Sequence, residues 1–526
     1  MGGKTLFRTL ISTAVASLVP VLACAQTLTL GLGGNVTSLD PHYHSAGPNS
    51  AFAYTIFGRL TDTDENSRLE PGLAESWSLV DPLTWEFKLR KGVKFHNGED
   101  FTAEDVVFTF ERIPQVVNSP GPYTSYLRGI ESTEIVDPYT LRVKTAYPVP
   151  TLPLMLNNIA ILDSTTHANV TTEDFNSGKA LVGTGPFKYV SGSTSEGIKL
   201  TRNDDYFGTV PDWETVDYRI ITNSAARTAA FLAGDVDLID QVASSDVARI
   251  SQAADAEIVS KVGLRLMYIN LDHSRTENPV FLRDNSGKPL AVNPLKDVRV
   301  RKALSLAIDR KILVDRVMDG AAIASMQYMP PGAFAYADDL VPPAADAAKA
   351  KELLAEAGYP EGFQITLHGS NDRFPNDARV LQAIGQMWTR IGVRTTVEAM
   401  PYGPFQTRAS AQEFAAFLGT WRNDGEPGIG MTNTLATFDK EKGTGSINRG
   451  RYSNPAYDEA LAAATSETDA AKREAALRDV MHLLIEDMPI LPLYIQKNTW
   501  AVRKTLSFAG RADDATMPQD VHPAKQ

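Results

Sequence analysis

The run PGLAESWSLVDPLTWEFKLRKGVKFHNGEDFTAEDVVFTFER, residues 71–112, decides how the rest of the chain is read. Trp85, Phe87 and Leu89 alternate with Glu86, Lys88 and Arg90, the period-two pattern of a half-buried strand. Gly92 breaks that strand, and Val93 and Phe95 begin a second short run. Asn97-Gly98 is a turn dipeptide, because both residues tolerate φ > 0. Thr102 stands where an N-cap belongs, with Asp105 three residues on as a variant capping box. Val106, Val107 and Phe110 give the following helix an apolar stripe. The prediction is a hairpin feeding a capped helix, a scaffold with no catalytic chemistry of its own.

Working outward, residues 27–32 alternate as a strand, and Gly33-Gly34-Asn35 turns it into the loop 38–44. A helical stretch follows over about 49–58. Beyond the opening run, Gly183-Thr184-Gly185-Pro186-Phe187 returns the chain to strand, continued by Ile198 and Leu200. Residues 224–233 form a helix of small residues, capped by Asn223 or Ser224 and stopped by Gly234. Leu264, Leu266 and Tyr268 share one face of a strand. Asp297 caps an amphipathic helix in which Val300, Ala303, Leu304, Ala307 and Ile308 face inward, and Arg299, Arg301 and Lys302 are expected to face solvent. Residues 363–367, 377–391 and 393–397 read strand, helix, strand, which predicts a partly parallel sheet. Residues 489–495 carry two prolines in an apolar run, so they are predicted as an edge or crossing strand. No repeat or low-complexity linker separates the halves, which predicts domains joined by crossing strands.

The chain has 526 residues, 43% of them hydrophobic, and a net charge of −12. That allows about three domains with large cores. The acidic balance argues against a nucleic-acid partner. Lys4 and Arg8, the apolar residues 10–22 and Ala23-Cys24-Ala25 together read as a cleavable export signal, residues 1–25. Cys24 is the only cysteine. Cleavage after Ala25 leaves no thiol, whereas the alternative, a lipobox at Val21-Leu22-Ala23-Cys24, makes Cys24 a lipid anchor. Either route places the protein outside the cytoplasm, and the first makes it free in the periplasm.

Several segments together resemble the solute-binding proteins of peptide-type ABC transporters (family 5). They are residues 37–41, 71–112, 183–187, 298–304, 347–360, 452–458 and 489–494, in that order, from about Leu28 to Phe508. The resemblance implies an α/β fold: a two-lobed type II periplasmic binding protein with an extra domain inserted in the N-terminal lobe. One discontinuous lobe takes residues 27–48, 183–272 and 489–526, the extra domain 49–182, and the second lobe 273–488. Ligand binds between the lobes, which close over it and present it to a membrane permease. The implied state is a monomer.

The same resemblance nominates ligand contacts. In GTWRNDGEP, residues 419–427, Trp421 and Asp424 match a family segment whose Asp receives a peptide's α-amino group. The gap before Glu426-Pro427 is one residue shorter than in that pattern. A buried carboxylate needs a cationic partner, which a ligand ammonium supplies. Arg422 is able to hold a carboxylate in a bidentate pair. Tyr43 and His44 lie in the loop after the first strand, which faces the cleft in the family. The His42-x-His44 pair is read as a loop or stacking element rather than a metal site. Tyr402 and Trp213 are candidate cleft aromatics or core residues. No Walker A loop, H-E-x-x-H or G-x-S-x-G is present, and Gly31-x-Gly33-Gly34 lacks the third glycine of a dinucleotide fingerprint. The expectation is therefore a binding protein, not an enzyme, with no cofactor and no metal. Its cargo is a peptide or a similar amine-bearing solute. Other cargoes (an opine, a glycan, glutathione or a metal complex) and a sensory role on the same fold stay open.

Overall fold

Alternation in the opening run becomes a buried face: Trp85, Phe87 and Leu89 are each 9% exposed or less. The structure, a computed structural model, describes Gly2 and residues 27–525. The export-signal reading and the fate of Cys24 lie outside the described residues. Thr84–Leu89 pairs antiparallel with the preceding strand Ala74–Asp81 and with Thr140–Thr145, which pairs with Ile130–Asp137. The predicted second run is not a strand: Val93 and Phe95 are buried, but only a single bridge joins Lys94 to Asp100. The turn between them is as expected, with Gly98 at φ 95°. Helix Ala103–Arg112 begins at the capping box, where Asp105 accepts from the Thr102 N–H at 2.8 Å. Val106 and Phe110 bury its inner face.

This sheet and helix share a core of their own, including Leu60, Phe87, Phe101, Val106 and Ile161. The flanking residues do not join it. Phe52 and Ile56 of helix Gly47–Ile56, with Leu162, Phe175 and Leu181, pack instead against Leu28, Leu30 and Trp500. Trp213 belongs to that same core at 8% exposure, and its Nε1 donates to the Val521 carbonyl at 2.6 Å.

A twelve-stranded sheet runs through both lobes. Its order is Leu282–Arg283, Gln364–Ser370, Ala416–Arg422, Ala256–Leu271, Ile490–Arg503, Leu238–Ile239, Thr27–Leu32, Thr215–Ile220, Gly197–Arg202, Phe187–Ser193. Arg394–Met400 and Ala322–Ala324 add to the second lobe's part. The predicted strand–helix–strand unit is present: Gln364–Ser370 and Arg394–Met400 pair in parallel across helix Asp377–Arg390. Trp388 of that helix is fully buried, and its Nε1 donates to the Leu304 carbonyl at 3.0 Å. Burying such a ring contributes about 1.5–3 kcal/mol.

The two long strands Ala256–Leu271 and Ile490–Arg503 are antiparallel and change cores along their length. Trp500 and Val502 pack with Leu28 and Leu30. Past the middle, Met267 and Ile269 pack with Leu491 and Trp388, and Leu266 and Tyr268 pack with Ile495 and Met481 on the other face. Between these regions the register jumps from Val262↔Lys497 to Leu266↔Ile495. Gly263 is placed where a Cβ would stand 2.8 Å from the Gln496 carbonyl, the close approach that glycine permits at a bulge. The run 489–495 is thus a crossing strand in the sheet interior. Pro492 sits at a second register shift, between Met267 and Tyr268, where its missing N–H disturbs no regular ladder.

A second expectation is corrected. Arg301 does not face solvent: it is 4% exposed, and its guanidinium donates to the carbonyls of Leu295, Lys296, Asp487 and Met488. The end of helix Ala470–Asp487 presents carbonyls without intrahelical partners, and Arg301 supplies donors in the right geometry.

Candidate ligand-binding site

Strand Ala416–Arg422 pairs with the crossing strand through Leu266↔Trp421 and Arg265↔Arg422. Successive side chains point to opposite faces. Trp421 therefore packs with Leu264, Leu266 and Tyr268, while Arg422 shares the other face with Arg265. Past the strand, buried Asn423 locks the turn: its N–H donates to the Leu264 carbonyl at 3.0 Å and its amide to the Tyr328 carbonyl at 2.9 Å. Gly425 follows at φ 90°, with the Ser67 carbonyl 2.9 Å from where a Cβ would sit. Its backbone turns Asp424 and Glu426 into different cavities.

Asp424 lines a cavity of about 50 Å³ together with Ser45, Tyr54, Tyr126, Arg422 and Asp514, room for a small polar head group. Charges converge there. Arg422 lies 3.6 Å from Asp424 and 3.5 Å from Asp514, and donates to the Asp513 carbonyl at 2.9 Å. Arg265 reaches Asp514 at 3.7 Å. Arg511 pairs with Asp513 at 2.8 Å and Asp520 at 3.2 Å, and is anchored by the Thr63 carbonyl. Arg59 also lines the cavity and pairs with Asp62, so Asp62, Asp424, Asp513, Asp514 and Asp520 face Arg59, Arg265, Arg422 and Arg511, which leaves one carboxylate more than guanidinium groups.

Burial pushes the Asp424 carboxyl above its ordinary value; Arg422 opposes that, and Asp513 and Asp514 add to it. Burial also raises the Asp513 carboxyl, but Arg511 outweighs it and holds the group low. Burial, then the Asp424 charge, keeps the Tyr126 phenol protonated. The Asp424 side chain is 29% exposed, and its one ionic partner among the described residues, Arg422, is shared with Asp514.

The other nominated residues are spread around this point. His44 accepts or donates at Thr37 Oγ1, 2.9 Å away, and bridges to Gly121; Tyr43 gives its carbonyl to Ser119. Their neighbour Ser45 is the loop residue that lines the Asp424 cavity. His42 is buried against Arg112 and Asp40 as a structural group. Tyr402 meets Phe374 edge-to-face at 6.1 Å, and the Arg265 guanidinium lies 5.6 Å from the Phe374 centroid, so Tyr402 is one ring away from the charge cluster. Arg265, Asp513, Asp514, Tyr54 and Tyr126 escaped the sequence reading. The first had a visible sign, a single charge inside the apolar run VGLRLMYINL. The second and third had another, an Asp-Asp doublet just after Arg511.

The sequence profile of the bacterial extracellular solute-binding proteins, family 5 (middle), matches residues 68–442. Di/tripeptide-binding protein 1 of Pseudomonas aeruginosa is 28% identical over 94% of this chain and 94% of its own length. Heme-binding protein A of Haemophilus influenzae is 28% identical over 84% of this chain and 82% of its own. The periplasmic binding protein DppA of Helicobacter pylori, in complex with peptide STSA, superposes with a TM-score of 0.75 at 25% identity, covering 95% of this chain and 98% of that one. A profile match over more than half the sequence and a shared two-lobed fold lead to one assignment: the chain belongs to the bacterial extracellular solute-binding proteins of family 5.

Proposed function

We propose that the protein is the periplasmic receptor of an ABC importer, and that it captures a peptide or a similar amine-bearing solute by its ammonium group at Asp424. The excess carboxylate of the cluster carries this reading. A bound ammonium neutralises it and gives Asp424 the charge-assisted hydrogen bonds that strengthen away from water. Kinship with a di/tripeptide-binding protein and with a peptide-bound structure supports the cargo class. The mechanism is a population shift. Ligand bridges Ser45 of one lobe and Asp424 of the other only when the lobes are close, so it stabilises the closed form by its differential affinity. The permease then recognises that form.

The test is thermal denaturation of the mature protein with a panel of di- and tripeptides and their N-acetylated forms. A free peptide is expected to raise Tm by mass action, and its N-acetyl form is expected to leave Tm unchanged. Asp424→Asn keeps the shape and removes the charge. It is expected to weaken peptide binding about 10- to 100-fold, the worth of a hydrogen bond to a charged group. Equal responses to free and acetylated peptides would remove the ammonium from the reading. Stabilisation by haem and by no peptide would replace the cargo.

A further inference from the structure

Two bodies with separate cores meet beside the crossing strands. Ser244 opens helix Ser244–Ser251, which packs on the core of Phe231, Ile239 and Ile250. Asp319 follows Met318, and Asn376 precedes helix Asp377–Arg390; Met318, Val380 and Leu381 share the core of the second lobe. The Ser244 hydroxyl joins the two bodies. It donates to Asp319 Oδ2 at 3.1 Å and accepts from the Asn376 amide at 3.1 Å. Arg379 holds both partners in place: its Nη1 donates to the same Asp319 oxygen at 3.4 Å and to Asn376 Oδ1 at 3.3 Å, and its Nη2 to the Arg316 carbonyl at 3.3 Å.

The backbone is fitted to this meeting. Asp319 at φ 52° and Asn376 at φ 57° are both left-handed, a conformation that costs free energy and persists where the surroundings hold it. The anchoring of the two segments is the stronger observation. The Val242 N–H donates to the Thr499 carbonyl at 3.1 Å, and the Lys497 N–H donates to the Ala321 carbonyl at 3.0 Å. The segments that carry Ser244 and Asp319 are thus tied to one crossing strand at Thr499 and Lys497, where the register jumps after Val262↔Lys497. A rotation of the lobes about the crossing strands at that point moves Ser244 against Asp319 and Asn376. None of these residues lines the Asp424 cavity.

We infer that Ser244, Asp319 and Asn376 form a hinge clasp, which holds the lobes together in the absence of ligand and so sets the share of the protein that is ready to close. The two hydrogen bonds of one hydroxyl shift such a two-state balance by about five- to tenfold. The clasp acts at the hinge and touches no cargo, so it stands independently of the peptide reading.

The test needs no ligand. A chain begun at Gln26 contains no cysteine, since Cys24 is the only one. Nitroxide labels are therefore placed at Ala229→Cys, in the first lobe, and Gln386→Cys, in the second, both exposed positions on helices. Their separation is read by double electron–electron resonance. The labelled parent is expected to show a short separation that matches this structure. Ser244→Ala in the same background is expected to lower the ratio of short to long separations about five- to tenfold. Ser244→Thr keeps the hydroxyl and is expected to hold the ratio near that of the parent. Absence of the short separation in the parent, an unchanged ratio in S244A, or an equal loss in S244A and S244T would each overturn the clasp.

Discussion

Arg301→Ala is expected to destabilise the protein by about 3–5 kcal/mol, the range for breaking a buried, fully bonded charge. Three observations set the size. The side chain is 4% exposed. Its donors serve the carbonyls of Leu295, Lys296, Asp487 and Met488, with distances from 2.6 to 3.1 Å, and the Asp487 carboxylate at 2.5 Å. The Asp487 and Met488 acceptors lie where the chain leaves helix Ala470–Asp487, the longest among the described residues, through Met488 at φ 49° and enters the crossing strand, and Leu295 and Lys296 lie in the turn before the Arg301 helix. Alanine strands several acceptors and removes the pin at that junction. Arg301→Lys keeps the charge but lacks the planar fork, so it is expected to recover only part of the loss. Urea unfolding checks both variants: a lower midpoint at unchanged m-value is the expected result, and a loss under about 1 kcal/mol would show that water replaces the guanidinium.

Acid is expected to unfold the protein steeply between about pH 6.5 and 4. Burial holds the imidazoles of His42, His96 and His273 down to about 4. Each is bonded through Nε2 to a carbonyl, of Ala160, Gly185 and Pro489 respectively. On His42, Nδ1 lies 3.0 Å from an Arg112 nitrogen, and on His96 Nδ1 accepts from the Gly183 N–H at 3.3 Å, so a second proton has no place to go. The unfolded chain protonates near 6.5. Below that pH it binds protons that the native state refuses, so stability is full above about 6.5 and is lost as pH falls toward 4. Each histidine carries roughly 3 kcal/mol across its shift, and the three together steepen the decline to about 4 kcal/mol per pH unit. Asp240 works in the opposite direction. Burial raises it to about 6, so between 6 and its unfolded value the native state holds the extra proton and gains stability as pH falls. Urea midpoints from pH 7.5 to 4.5 are expected to fall through this window, and to fall more steeply in Asp240→Asn. A flat midpoint down to pH 5 would show that these imidazoles protonate in place.

The elements were largely legible in the sequence, because they rest on local patterns. The alternation at Trp85–Leu89, the capping box at Thr102, the Asn223 cap with Gly234 at φ 88° and the strand–helix–strand unit at 364–400 are all present. What failed was nonlocal. Val93 and Phe95 are apolar enough for a strand, but Thr84–Leu89 already has partners on both edges. Arg301 carries a solvent-like charge beside an apolar stripe, and its burial takes the distant end of another helix as well as the carbonyls of the turn before its own. At the candidate site, Arg422 and Asp424 were found through one short segment, whereas Asp513 and Asp514 come from the far end of the chain. Trp421 and Asp424 match the same family segment, and strand alternation sets Trp421 on the face opposite Arg422.

The core around Leu28, Leu30 and Trp500 closes late in synthesis. It draws Leu28 and Leu30 from the start of the chain and Trp500, Val502 and Val521 from its end. At about 5–20 residues per second, the opening strand waits on the order of 30–100 s of synthesis before its core can close. The inserted domain, with core residues 60–161, is complete long before that. Assembly therefore runs from the middle outward, and Val521 arrives late as the keystone: a chain cut short before it leaves strand Thr27–Leu32 without a finished core.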